Sequence, residues 1–474
     1  MCLNRIPLYI LIFFVLTNGS FSQNRIGTGE VKEIYEQYCL SCHAADLKGG
    51  LGNSLLDRST WKMIGPDLDF IDYVLEGQVE LGMPAYKGVL TRAQVRSLEV
   101  YIEEKRAMDD ALPAPVANEG TYESGGYRFK LETVVEGLEI PWSVAFLPSG
   151  GLLITERDTT DLHLYQDGKL HPRVEGIPDV WNKGQGGLME VALHPDYEQN
   201  AWIYLAYSGR SPENTEGKEV GMTKIVRGRI VDHIWTDQEL IFETPTEMHS
   251  PSGAHFGTRL VFQDDYLFFG IGDRGNMNSA QDLSLPNGKI HRIFDDGRIP
   301  EDNPFAEKPD AYPTIWTLGN RNPQGLDAHP VSGELWETEH GPRGGDELNL
   351  IEPGLNYGWP VISYGMNYNG KPITDKTEAP GMEQPEWQWT PSIAVCGIDF
   401  YEGDRFPEWK NDLFVGGLAS QELWRIQIEN GEVASKEIIL KDEGRVRDVA
   451  NGPDGYLYVV LNKPDKVARL VPAE

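Results

Sequence analysis

Cysteine is scarce, with four in 474 residues. Cys2 lies near the start, Cys39 and Cys42 have two residues between them, and Cys396 stands alone. No disulfide framework can therefore staple the fold. Positive charge is also short. Lys and Arg number 42 against 73 Asp and Glu, a formal net charge of −31. That argues against nucleic acid as a partner, because a phosphate backbone demands a basic face. It favours solubility and attracts basic partners at low ionic strength. Long apolar runs are missing too. Residues 8–16 form the one sustained run, shorter than the ~20 residues a membrane helix needs. It follows Arg5 and precedes Ser20-Phe21-Ser22. Residues 1–22 thus read as a secretory signal with a small-residue cleavage site. The expectation is a periplasmic or secreted protein with no membrane span in its mature chain.

The two paired cysteines belong to Cys39-Leu40-Ser41-Cys42-His43. C-x-x-C-H is the pattern for covalent attachment of a c-type haem, with the thiols on the vinyl groups and the imidazole on the iron. No second cysteine pair exists to complete a zinc site. Val31, Ile34, Tyr35 and Tyr38 recur at helical spacing ahead of the motif. A second helix is expected over 67–77, with Phe70, Tyr73 and Val74 on one side. Thr91-Arg92-Ala93-Gln94 has capping-box form and opens a third, with Val95, Leu98 and Ile102 inward. Gly82-Met83-Pro84 lies between the second and third helices and offers Met83 as second axial ligand; Met63 is the competing thioether. A thioether raises the potential of the iron, which suits an electron acceptor. Residues 24–107 resemble a small class I cytochrome c, an all-α domain whose metal ligands are His43 and Met83.

Residues 108–121 are small, polar and proline-containing, as in a short tether. Beyond them the period changes from helical to alternating. Residues 144–155 read as a strand, a Pro/Ser/Gly turn and a second strand. The same form returns at 190–207, 259–270, 325–336, 397–416 and 448–460. Hairpins repeating about every 60 residues fall in the range for propeller blades. The fold expected for 122–474 is an all-β six-bladed propeller. Loops gathered at one face around a central channel are where its site should form. Cys396, in a strand-like run, reads as a small buried hydrophobe.

Several motifs then come in order: Thr155-Glu156-Arg157, Gly184-Gln185-Gly186-Gly187, His255-Phe256-Gly257-Thr258-Arg259, Gly270-Ile271-Gly272-Asp273 and Leu318-Gly319-Asn320-Arg321-Asn322. Glu339-His340-Gly341-Pro342, Asn356-Tyr357-Gly358-Trp359-Pro360 and Arg445-Val446-Arg447-Asp448 complete them. In this set the propeller resembles the soluble PQQ-dependent sugar dehydrogenases of aldose, glucose and sorbosone type. PQQ is a planar orthoquinone with three carboxylates, and guanidinium forks match carboxylates bidentately. The resemblance implies that Arg321, Asn322, Arg445 and Arg447 hold PQQ. It also implies that the Gly341 and Pro342 carbonyls hold Ca²⁺, which polarises the quinone. His255 is the implied general base, Asp273 its orienting carboxylate, and Gln185 an amide facing cofactor or sugar. One departure stands out: Ala419 occupies the position of a cofactor-binding lysine in that family.

The reading that follows is a sugar or polyol dehydrogenase. An aldose would leave as its lactone, and electrons would pass to the fused haem and on to a cytochrome or terminal oxidase. A recognition propeller tethered to a cytochrome is the alternative, and Ala419 would mark its drift. A metal-dependent lactonase would call for carboxylates around a central ion and would need neither clustered arginines nor a haem.

Overall fold

A computed structural model of the chain describes residues 29–57, 69–109, 112, 115, 117, 118, 120–211 and 217–473. The signal-like segment 1–22 and Met63 lie outside the described residues. Val31, Ile34 and Tyr35 are buried along one side of α1 (Gly29–Tyr38), as their spacing predicts. Next comes α2 (Leu40–His43), the turn that carries the haem motif. The second predicted helix is α3 (Phe70–Glu76), entered where Asp69 accepts a hydrogen bond from the Ile71 N–H. Phe70, Tyr73 and Val74 fall on one side, as expected, and line a cavity, while Ile71 and Leu75 join Val74 in the core. The capping box forms as written: Gln94 N–H donates to Thr91 Oγ1 at 3.2 Å and Thr91 N–H to Gln94 Oε1 at 3.0 Å. It opens α4 (Arg92–Asp109), which buries Val95, Leu98 and Ile102. No helix among the described residues is long and apolar enough to cross a membrane.

Six antiparallel sheets follow, five of four strands and one of five. Blade 1 spans 141–170, blade 2 188–242, blade 3 260–318, blade 4 323–389 and blade 5 395–441. Each predicted hairpin is the first two strands of its blade. Those strands read most clearly in the sequence because they are the most buried: Leu152–Glu156, for example, is buried at every position. Blade 6 begins with Arg445–Asn451, Leu457–Asn462 and Lys466–Pro472 and is completed from the far end of the domain. Tyr127–Val135 pairs with its third strand, Leu131 opposite Leu470, and Tyr122–Ser124 adds outside it. The ring thereby closes on itself, and each blade keeps its outermost strand as an edge. A cluster of aromatics locks the closure. Trp409 stacks on Phe406 at 4.1 Å between ring centres and donates its indole N–H to the Gly125 carbonyl at 2.6 Å.

Candidate functional site

The helical domain encloses a cavity of about 390 Å³. Cys39, Cys42, His43 and Met83 all line it, with Tyr38, Tyr73 and Ile102 among the walls. No disulfide joins the two cysteines. His43 Nδ1 lies 2.8 Å from the Asn53 carbonyl. As donor to that carbonyl, the ring keeps the Nε2 lone pair for a metal. A β-carbon on Gly52 would sit 2.8 Å from the His43 ring, so only glycine leaves the imidazole its place. Met83 is set on the opposing segment, where it and Gln78 exchange backbone hydrogen bonds of 2.9 and 3.0 Å. Thiols, imidazole, thioether and apolar walls fit a c-type haem.

The second site lies on one face of the propeller. An innermost strand begins on the face where the second strand ends, so residues just before first strands and just after second strands gather there. Gln185, His255, Arg321 and Asn322 precede first strands; Asp273, Gly341 and Pro342 follow second strands; Arg445 and Arg447 open blade 6.

His255 sits in the left-handed region, at φ 52°, a strained setting for a non-glycine residue. Three contacts hold it there. Its N–H donates to Gln185 Oε1 at 2.8 Å, so the Gln185 carbonyl oxygen is taken up by the His255 backbone. Arg274 donates to the Ser252 carbonyl at 2.6 Å and to the Ala254 carbonyl, and stacks 3.4 Å from the Phe256 ring centre. Gly272 passes under the His255 carbonyl, where a β-carbon would come within 2.5 Å. The imidazole Nδ1 lies 2.6 Å from Asp273 Oδ1. The other carboxylate oxygen accepts the Trp359 indole N–H at 2.9 Å. Burial, then the Arg321 guanidinium, push His255 below the ordinary imidazole range, against the pull of Asp273. Burial works to raise Asp273, but the His255 hydrogen bond and neighbouring charges hold it below the ordinary carboxylate range. The pair is therefore a carboxylate and a neutral imidazole, with Nδ1–H on Asp273 and the Nε2 lone pair available as a base.

Arg321 and Asn322 are pinned by their backbone N–H groups to Glu339 Oε2. The Arg321 guanidinium donates to the His340 and Gly341 carbonyls at 2.7 and 2.8 Å and lies 5.2 Å from the Trp359 ring centre. One lone pair of the Gly341 carbonyl is thus in use, and the second remains. Gly341 N–H donates to Asp346 Oδ1 at 2.9 Å, one tie within the turn that carries both carbonyls. Arg447 is buried; its guanidinium donates to Cys396 Sγ at 3.3 Å and lies 5.7 Å from the Trp142 ring centre. Cys396 is fully buried, as expected, but against a guanidinium as well as apolar neighbours. Burial holds Arg447 and Arg445 below the ordinary guanidinium range, and Arg157 adds to the lowering in both. Three cations thus converge with no carboxylate ion-paired to Arg445 or Arg447 among the described residues. A buried, unpaired cation is costly, so this cradle suits a polyanion. Ala419 brings no charge; its N–H donates to the Ile393 carbonyl. Arg157, from blade 1, supplies a cation beside the pair.

Three contributors escaped the sequence reading. Trp359 and Arg157 lay inside motifs, but only the folded ring brings them to Asp273 and to Arg447. The third, His340, is neutral, pushed to about 3 by burial and the Arg321 and Arg447 charges. His194 and His329, by contrast, cap turns: each Nδ1 accepts backbone N–H groups, from Asp196 and from Val331 and Ser332.

Comparison with known proteins agrees with this division. Residues 138–470 match the family model for glucose/sorbosone dehydrogenase, and residues 28–102 that for cytochrome c oxidase, cbb3-type, subunit III. The chain is 42% identical over 341 residues to aldose sugar dehydrogenase YliI of Escherichia coli (strain K12), covering 70% of this chain and 90% of that protein. Among solved structures it is similar to the soluble aldose sugar dehydrogenase of Escherichia coli in the apo-form. The TM-score is 0.68 at 40% identity, over 73% of this chain and 100% of that one. The PQQ-bound aldose sugar dehydrogenase of Streptomyces coelicolor matches with a TM-score of 0.59 at 29% identity, over 72% of this chain and 97% of that one.

Proposed function

The chain belongs to the glucose/sorbosone dehydrogenase family and carries a cytochrome c domain ahead of its propeller, and from that premise we propose that it oxidises an aldose or related polyol with PQQ and delivers the electrons to its own haem. The observation that carries this reading is a neutral, carboxylate-backed His255 on the same face as Arg445 and Arg447, which have no carboxylate ion pair among the described residues. A base and a polyanion site side by side are what removal of a hydride and a proton from an alcohol requires.

Arg445, Arg447 and Arg157 would bind the carboxylates of PQQ, with Arg321 and Asn322 along its edge. The Gly341 and Pro342 carbonyls would hold Ca²⁺ beside it. Bound there, PQQ supplies a two-electron acceptor for hydride, made electrophilic by the cation. His255 Nε2 takes the hydroxyl proton as the carbon–hydrogen bond is lost, so the alcohol carbon becomes a carbonyl; an aldose leaves as its lactone. Asp273 stabilises the imidazolium that results, and Trp359 keeps that carboxylate aimed. Cys39, Cys42, His43 and Met83 would hold haem c, which would supply a one-electron relay to an external cytochrome or oxidase. Covalent haem attachment takes place outside the cytoplasm, so the protein would work in the periplasm or beyond it, as residues 1–22 suggest.

The test is an anaerobic absorption spectrum of the oxidised protein with PQQ and Ca²⁺, followed by a panel of aldoses. Haem reduction that needs both PQQ and sugar supports the assignment. PQQ that fails to bind would sink it and return the propeller to a recognition role.

A further inference from the structure

The cytochrome domain rests on two loops of blade 4. Arg343, in the loop 340–345, places Nε and Nη2 on the two carboxylate oxygens of Glu104 in α4, at 2.9 and 2.6 Å. The side chains are only 16% and 11% exposed. Met366, in the loop 352–386, is 1% exposed and belongs to the core of the helical domain, with Tyr35, Val95 and Val100. Arg343 and Met366 exchange both backbone hydrogen bonds, each 2.9 Å, so the ion pair and the apolar peg stand on one rigid bridge. Around them Arg92 pairs with Asp375 at 3.4 Å, Lys371 with Glu30 at 3.9 Å, and Arg96 donates to the Tyr364 carbonyl at 3.3 Å. Charges alternate across the contact: the propeller gives plus, minus, plus and the helical domain the complement. A shifted docking would bring like charges together.

The loop that makes this contact is also the loop of Gly341 and Pro342. Three of its residues, Gly341, Gly344 and Gly345, are glycine, the last two at φ 79° and 69°. Such a segment loses more conformational freedom on ordering than any other kind. Arg343 is its one long side chain, and that side chain reaches the helical domain. Val100 of α4 lies close against Gly344, within 3.3 Å of where its β-carbon would be.

We propose that the docked cytochrome domain orders this glycine-rich loop, so that haem-domain docking and cofactor-metal loading at Gly341 and Pro342 are one coupled equilibrium. The proposal rests on the reading that these carbonyls hold the cation. By linkage, whatever docking adds to loading, loading adds to docking.

The test uses full-length protein with haem attached. PQQ binding in the presence of Ca²⁺ is titrated by fluorescence in wild type, in Glu104→Arg and in the swapped pair Glu104→Arg/Arg343→Glu. A protease site placed at 112–116 is cut after folding, and co-elution of the haem fragment with the propeller is followed with and without PQQ and Ca²⁺. Glu104→Arg should weaken PQQ binding about tenfold, a loss of about 1.4 kcal/mol, and release the cut haem fragment. The swap should restore both, which separates lost docking from lost folding. Loading should slow release of the fragment in wild type. Unchanged PQQ affinity in Glu104→Arg with a released fragment would overturn the coupling, and immediate separation of the cut wild type would overturn the docking. Wild type that binds no PQQ would overturn the site reading and the coupling with it, while co-elution would still decide the docking.

Discussion

His255 and Arg447 show what single residues do in this site, and each predicts a measurement. An imidazole held below its ordinary range is already neutral at neutral pH. Oxidation by PQQ-loaded protein should therefore rise from acid pH and level off, with an apparent pKa below 6.5, read from kcat/KM with an artificial two-electron acceptor. Asp273→Asn removes the charge that favours the imidazolium, so the acid limb should move still lower. The amide would also meet the Trp359 N–H with a donor of its own, so kcat should fall, by about 10²–10⁴-fold. An unmoved limb with unchanged kcat would remove Asp273 from the mechanism. Arg447 makes the opposite kind of prediction. A buried guanidinium with no carboxylate ion pair among the described residues destabilises the cofactor-free protein. Arg447→Met should leave the melting temperature of the cofactor-free protein unchanged or raised, while PQQ affinity collapses. A large drop in melting temperature would make Arg447 a structural residue. His255 was legible in the sequence because a short motif surrounds it. The contribution of Trp359 was not, because its partner Asp273 belongs to another blade and no local spacing records that contact.

Among elements, the innermost strands of the propeller depend on one side chain. Arg259 of blade 3 donates Nε to the Gln324 carbonyl of blade 4 at 2.7 Å and Nη2 to the Arg447 carbonyl of blade 6 at 3.0 Å. Its Nη1 lies 2.8 Å from Glu190 of blade 2 and 2.7 Å from Asp448 of blade 6, and the guanidinium covers the ring of Trp142 of blade 1 at 4.2 Å. Arg259→Met would strand two buried carboxylates, at about 3–5 kcal/mol. Chemical denaturation should show that loss, and Arg259→Met/Glu190→Gln/Asp448→Asn should recover most of it. A single variant within ~1 kcal/mol of wild type, the range of an exposed ion pair, would mean that water reaches the network. Such strands are legible because burial on both faces leaves continuous apolar runs, and all six hairpins were read from them. The outer strands mix exposed and buried positions, as in Glu432–Lys441, and carry weaker patterns. Closure of blade 6 by Tyr127–Val135 joins opposite ends of the domain, and nothing in local periodicity encodes a partner so distant. The blade-4 loops, rich in glycine and turns, hid the docking surface for the same reason.

At the scale of the whole molecule, charge governs the steps that remain. The net charge of −31 belongs to the chain as a unit, while the contact between its domains is made by largely buried pairs such as Glu104 with Arg343. Salt screens long-range attraction between separate molecules, with a Debye length of about 10 Å at 0.1 M. It acts far less on charges already in contact and shielded from water. Two electron-transfer steps should therefore respond differently. Reduction of the protein's own haem by sugar should be first order, independent of protein concentration and nearly independent of salt, because no encounter is needed. Transfer from that haem to an external acceptor needs an encounter. A basic cytochrome should be reduced about tenfold or more faster at low salt than at high, whereas ferricyanide, an anion, should be reduced faster as salt rises. Stopped-flow traces at several ionic strengths separate the two steps. Equal and same-signed salt dependence for both acceptors would mean that local charges at the haem edge, not the net charge, steer the encounter. A haem reduction rate that scales with protein concentration would mean that electrons leave one molecule's propeller for another molecule's haem, which the Glu104–Arg343 contact and the buried Met366 argue against.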